Sequence, residues 1–121
     1  MTSRMAMLAL IALLAQIVTP DPAAAGFAIA FNPTNAKSHA YNGSWDLEVA
    51  KRQALSNCGA GCRIVASGKK TCAAVVESIS TGGSIWAVGY GSTTSVASNQ
   101  GWHACRQKGG VNCKTAAAIC D

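Results

Sequence analysis

Acidic side chains are scarce in this chain. Asp21, Asp46, Glu48, Glu77 and Asp121 stand against ten lysines and arginines. Asp46 and Glu48 lie two apart at the start of an expected helix, where side chains do not face each other. A pair of opposed carboxylates for cleaving glycosidic bonds therefore has no support. Their expected role is to complement the positive end of the helix dipole. Motifs are scarce as well. There is no phosphate-binding loop and no histidine–carboxylate cluster with metal-ligand spacing. No Gly-x-Ser-x-Gly elbow accompanies the two histidines, His39 and His103. The serines fall mostly in turn-like settings, whereas a serine nucleophile needs a base and an orienting acid. The sequence thus reads as non-enzymatic, with no cofactor.

Long apolar runs are absent after the first 25 residues, and those 25 read as a secretory signal. Arg4 supplies the positive start, Met5 to Val18 the apolar stretch, and Ala23-Ala24-Ala25 the small-residue cleavage site. The apolar stretch is shorter than the roughly 20 residues of a spanning helix. No transmembrane anchor is expected after cleavage, and the product is expected to be secreted or periplasmic. Residues 26–121 then form one small domain. A chain of this size buries a limited core and often needs staples.

Six cysteines supply them: Cys58, Cys62, Cys72, Cys105, Cys113 and Cys120. Their spacings match no standard zinc site, and an oxidising compartment favours disulfides over thiolate ligands. The even count leaves no thiol nucleophile. The cysteines also form two triplets. Ala50-Lys51-Arg52-Gln53-Ala54-Leu55-Ser56-Asn57-Cys58 aligns with Ala97-Ser98-Asn99-Gln100-Gly101-Trp102-His103-Ala104-Cys105. Tyr41-Asn42-Gly43-Ser44 echoes Tyr90-Gly91-Ser92-Thr93 with a small shift. The repeats span about 26–72 and 73–120. A symmetric fold favours Cys58–Cys62 and Cys105–Cys113 within the repeats and Cys72–Cys120 between them. The rival scheme pairs each helix cysteine with the third cysteine of its repeat.

Local signals give each repeat the order strand, strand, helix, strand. Phe27–Phe31 is apolar throughout, as a buried strand is. Lys37–Tyr41 is the expected second strand. Ser44 is the expected cap of a helix that buries Leu47, Ala50, Ala54, Leu55 and Cys58 and stops at Gly59–Gly61. Arg63–Ala66 and Cys72–Glu77 read as a hairpin across Gly68-Lys69-Lys70. Gly82-Gly83 turns into Ile85–Tyr90. Thr94 or Ser95 caps the second helix, and Asn112–Ile119 is the last strand. The fold class is α+β: duplicated ββαβ units, two helices packed on a mainly antiparallel sheet, stapled by disulfides.

The first unit combines an apolar strand, Ala50-x-x-x-Ala54-Leu55-x-x-Cys58, a glycine turn, Cys62-Arg63-Ile64-Val65 and Cys72-Ala73-Ala74-Val75. This pattern resembles the bacterial domain-of-unknown-function 4189 family, from Gly26 to Cys120. In the second unit Gly101-Trp102 replaces Ala-Leu, so a shorter or bent helix is expected there. The resemblance implies an exported bacterial domain with disulfides, some members being associated with host contact. It brings no catalytic residues.

The net charge of +5 draws a domain toward anionic surfaces. Lys51, Arg52, Arg63, Lys69, Lys70, Arg106, Lys108 and Lys114 are spread over both repeats, and the same charges serve solubility. Phe27 and Phe31 are expected in the core. Trp45, Trp86, Trp102, His103, Lys69 and Lys70 are the candidate partner contacts, tryptophan being a frequent interface anchor. Nucleic acid is not an expected partner, because stacking bases needs an exposed aromatic row. The leading expectation is a binding module that contacts a protein or an anionic envelope or host surface. The alternatives are a small secreted hydrolase with His39 or His103 as base, and a structural envelope protein.

Overall fold

The computed structural model describes residues 26–44, 46–79 and 84–121. The expected signal segment, Trp45 and the Gly82-Gly83 turn lie outside the described residues. In chain order the elements are β1 (Gly26–Phe31), β2 (Ser38–Ser44), α1 (Leu47–Cys58), β3 (Arg63–Gly68), β4 (Cys72–Ser78), β5 (Trp86–Gly91), α2 (Thr94–Gln107) and β6 (Cys113–Cys120). They form two ββαβ units. Each unit makes its own antiparallel three-stranded sheet, ordered β2-β1-β3 and β5-β4-β6.

The first strand of each unit is therefore central, and its composition explains why. β1 is buried along its whole length, and β4 nearly so. Phe27, Ile29 and Phe31 face Ala73 and Val75 across the gap between the sheets. On the opposite face Ala28 and Ala30 meet Ala50, Ala54 and Cys58 of α1. Ala74 and Val76 do the same for α2, through Ala97 and Cys105. The layers run helix, sheet, sheet, helix. A strand enclosed on both faces must be apolar throughout, and β1 and β4 are.

This layering revises the expected single sheet and the expected hairpin. β3 pairs with β1, and β4 pairs with β5 and β6. The Gly68–Thr71 connection carries the chain from one sheet to the other. Gly68-Lys69-Lys70 does end a strand, but local sequence does not say which strands a turn joins. The two units agree in detail. β3 bulges between the partners of Ile29 and Ala30, and β6 bulges between the partners of Val75 and Val76. That match equates Ala30 with Val76, Phe31 with Glu77, Arg63 with Lys114 and Tyr41 with Gly89. Tyr41 and Tyr90 are thus one residue out of register with each other.

The caps also differ from expectation. Asp46, not Ser44, caps α1 by accepting from the Glu48 amide at 2.8 Å, and Thr93 caps α2 through the Val96 amide at 3.1 Å. Gly59 ends α1 at φ 99°, donating its amide to the Leu55 carbonyl. α2 has 14 residues against 12 for α1, so Gly101 does not shorten it. Gly101 instead permits close packing. A Cβ there would lie 2.7 Å from Val76, and one at Gly89 would strike the Ala97 carbonyl.

Three disulfides form: Cys58–Cys62, Cys72–Cys120 and Cys105–Cys113. The first and third link each helix end to the start of the following strand. Cys72 opens β4 and faces Cys120 across the β4–β6 ladder. That bond therefore closes the second sheet rather than joining the units. Among the described residues the sheets meet instead through apolar packing and side-chain bonds such as Ser38 Oγ to the Ala116 carbonyl and Asn42 Nδ2 to the Cys120 carbonyl.

Candidate functional site

The two sheets run in step. Phe31 meets Trp86 at one end, with ring centroids 5.4 Å apart. Asn42 reaches Cys120 at the other. The Phe31–Trp86 end gathers both helix C-termini, both loop disulfides, and Lys37, Arg63, Arg106, Lys108 and Lys114. Glu77 is the one carboxylate there among the described residues. The opposite end holds Lys69 and Lys70 with Asp121, and the N-termini of both helices. Positive charge is therefore concentrated at one pole.

Each cation at that pole has a structural setting. Lys37 comes over the end of α1 beside Gly59, and Arg106 lies in the last turn of α2. Both complement the negative ends of the helix dipoles. The Arg63 guanidinium lies 5.2 Å and the Lys108 ammonium 5.5 Å from the centroid of the Trp86 ring. Lys108 also donates to the Trp86 carbonyl at 2.9 Å. A cation over an indole face is attracted by the ring quadrupole. Trp86 thus has two cations within 5.5 Å of its ring centroid, and among the described residues neither forms a salt bridge. Lys51–Glu48, on α1, does, at 3.2 Å.

Lys114 stands opposite Glu77 on the β4–β6 ladder. Glu77 is half-buried, and its Oε2 is sealed from solvent with no hydrogen-bond partner among the described residues. Burial raises its pKa above the ordinary carboxylate value, and the Lys114 charge pulls in the opposite direction.

The candidate contacts named above separate in space. Trp86 is half-buried at the seam between the sheets. Trp102 is 39% exposed on the outer side of α2, edge-on to His103, with Arg106 over its ring. Lys69 and Lys70 are exposed at the far pole, where the Lys70 amide donates to Asp121. Five residues of β4 separate that pole from Glu77, about 16 Å of strand. The five described candidates, Trp86, Trp102, His103, Lys69 and Lys70, do not form one surface. Trp45 lies outside the described residues.

Neither histidine hydrogen-bonds a serine or a carboxylate among the described residues. Nε2 of His39 lies 3.3 Å from the Asn57 amide nitrogen, and His103 meets Trp102. No group of three or more metal-ligating side chains occurs among the described residues. No helix among them is long and apolar enough to cross a membrane.

Sequence reasoning missed two neighbours of this pole. Ile79 is 55% exposed and Val111 is 58% exposed. Their segments are tied together: Ser78 Oγ donates to the Val111 carbonyl and accepts from its amide, and the Ile79 amide reaches the Asn112 carbonyl. A usable signal existed in the cysteine spacing. The helix-to-strand disulfide spans 4 positions in the first unit and 8 in the second. The added residues include Lys108 and Val111.

Fold and surface together define a small disulfide-bonded α+β protein built from two ββαβ units. The chain belongs to the family described as a domain of unknown function (DUF4189), whose family model matches residues 27–120. No curated protein matches the chain significantly. Nor does any solved structure.

Proposed function

We propose that this chain is an exported, non-enzymatic binding module that contacts an anionic partner through the Trp86 pole. The observation that carries the reading is the pair Arg63 and Lys108 at the Trp86 ring, neither of which forms a salt bridge among the described residues. Cations gathered at one pole attract an anion, and salt screens that attraction. A rigid arrangement also lowers the entropy cost of capture. The histidine surroundings favour contact over catalysis, since His39 meets Asn57, His103 meets Trp102, and among the described residues no acid hydrogen-bonds either ring. Three disulfides support export, because such bonds persist in oxidising compartments.

The test is salt-dependent retention on a soluble polyanion such as heparin. Arg63→Glu and Lys108→Glu should weaken it strongly, whereas Lys69→Glu at the far pole should weaken it little. Equal losses at both poles would point to net charge alone, and salt-independent retention would remove the electrostatic account. Intact mass of the protein recovered from cells tests export. Loss of residues 1–25 and of six hydrogens is the expected result.

A further inference from the structure

The internal duplication provides a control for the Trp86 pole. Both units need a link from the helix to the last strand, and the first unit makes it with a cysteine separation of 4. The second uses 8. The longer loop is therefore not a requirement of the ββαβ fold. It carries Lys108, whose ammonium lies at Trp86, and Val111, which is 58% exposed.

Val111 has a neighbour of the same kind. Ile79, 55% exposed, follows Ser78, and the Ser78 hydroxyl holds the Val111 backbone at 2.8 and 3.1 Å. Ser78 itself is fully buried. The Cys105–Cys113 bond closes the base of the loop. Two exposed branched apolar residues are thus presented on adjoining, anchored segments. Lys114 follows on β6, and Arg63 and Lys108 stand at Trp86. Single exposed apolar residues need no explanation. An anchored apolar pair bordered by cations has the chemistry of a surface that enters a lipid interface, apolar atoms below and cations at the headgroups.

We propose that this pole docks on an anionic phospholipid bilayer, with Ile79 and Val111 entering the headgroup boundary and Arg63, Lys108 and Lys114 meeting lipid phosphates. The inference rests on the anion-binding reading above and commits it to a membrane. Charge complementarity alone fits any polyanion, and the apolar pair is what selects a bilayer.

The experiment is co-sedimentation of the protein, disulfides intact, with vesicles of phosphatidylglycerol mixed with phosphatidylcholine. Pure phosphatidylcholine vesicles and a heparin column run in parallel. Binding to the anionic vesicles, and not to the neutral ones, is expected. Replacing both Ile79 and Val111 by Asp should lower vesicle partitioning by at least about tenfold. The milder Ile79→Ser with Val111→Ser should lower it less and keep its heparin retention, whereas the two added carboxylates of the Asp variant should weaken heparin retention as well. Lys108→Glu should weaken both kinds of binding, by at least about fivefold on vesicles. Heparin retention without vesicle binding would overturn the bilayer and leave the anion-binding reading standing. Loss of both would overturn both. Vesicle binding indifferent to the Ile79 and Val111 substitutions, or equal on neutral vesicles, would overturn insertion at this pole.

Discussion

Asn32 and Ser78 occupy equivalent positions in the two units, and each is a buried polar side chain that holds the loop after its unit's helix. Asn32 donates from Nδ2 to the Ala60 carbonyl at 3.3 Å and accepts the Thr34 amide at 2.9 Å. Ser78 bonds the Val111 carbonyl and amide. Buried polar groups cost stability unless paired, and removing one partner strands the other. The same task is met by an amide in one unit and a hydroxyl in the other because the two loops differ in length.

Replacing either residue by alanine should therefore destabilise the protein by about 1–3 kcal/mol. Chemical denaturation reads the loss directly. Ser78→Ala should also speed hydrogen exchange at the Val111 amide, while Asn32→Ala should do so at Thr34. A loss below the measurement error in both variants would show that these bonds are replaced by water at no cost.

Much of this arrangement was legible in the sequence. The apolar run Phe27–Phe31 marked a strand buried on both faces. The Ala50, Ala54 and Cys58 spacing marked the helix face that packs on it. The matched cysteine triplets marked two units and gave the observed pairings as one of two schemes. Pairing partners were not legible, because the residues that make β3 a strand do not say whether β1 or β4 lies beside it. Exposure was not legible either. Trp86 and Trp102 are the same residue type, yet one lies at the seam between the sheets and the other on an outer helix face. Ile79 and Val111 carry no sequence signal that marks them as exposed, and only their place at the end of the second sheet turns them outward.

The Cys72–Cys120 bond closes the longest loop of the three, with a separation of 48 against 4 and 8. On the loop-entropy model it contributes about 4 kcal/mol, against roughly 2 for each shorter bridge. Replacing both Cys72 and Cys120 by Ser should lower Tm more than the same change at Cys105 and Cys113. Its position within one sheet adds a second expectation. Hydrogen-exchange protection should fall first along β6, and β1 to β3 should keep theirs in the native state. A Tm loss no larger than that of the Cys105/Cys113 pair would remove the loop-length argument.

Gly89 and Tyr41 occupy equivalent strand positions, and they set different distances between sheet and helix. Tyr41 packs at the edge of the α1 cluster. At Gly89 the backbone of α2 comes so close that a Cβ would strike the Ala97 carbonyl and the Gly101 amide nitrogen. Neither is the movable end of a side chain, so the strain cannot relax locally. Gly89→Ala should cost about 1–3 kcal/mol or more. Gly43→Ala is the control for overpacking, because nothing lies within 4 Å of a Cβ there, although its φ of 92° adds backbone strain. If Gly89→Ala proved no more harmful than Gly43→Ala, the close approach of α2 would not be a determinant of stability.

Glu77 gives the protein a pH dependence whose sign follows from its setting. Its carboxyl is raised above the ordinary value chiefly by burial, with Lys114 opposing. A raised pKa means that the folded state holds the proton more tightly than the unfolded chain. The stability linked to that proton is fully present below the unfolded-state pKa and is lost as pH rises through the folded-state pKa. At neutral pH an ionised Glu77, with one oxygen sealed off and unbonded, therefore costs stability. Glu77→Gln should raise Tm at neutral pH, and the gain should vanish once pH falls below the ordinary carboxylate range. The substitution also removes a carboxylate from the Trp86 pole, so heparin retention at neutral pH should increase. Thermal melts across pH check the first outcome and salt elution the second. A lower Tm for Glu77→Gln at neutral pH would mean that the attraction to Lys114 outweighs burial, and the direction of the shift would then be reversed.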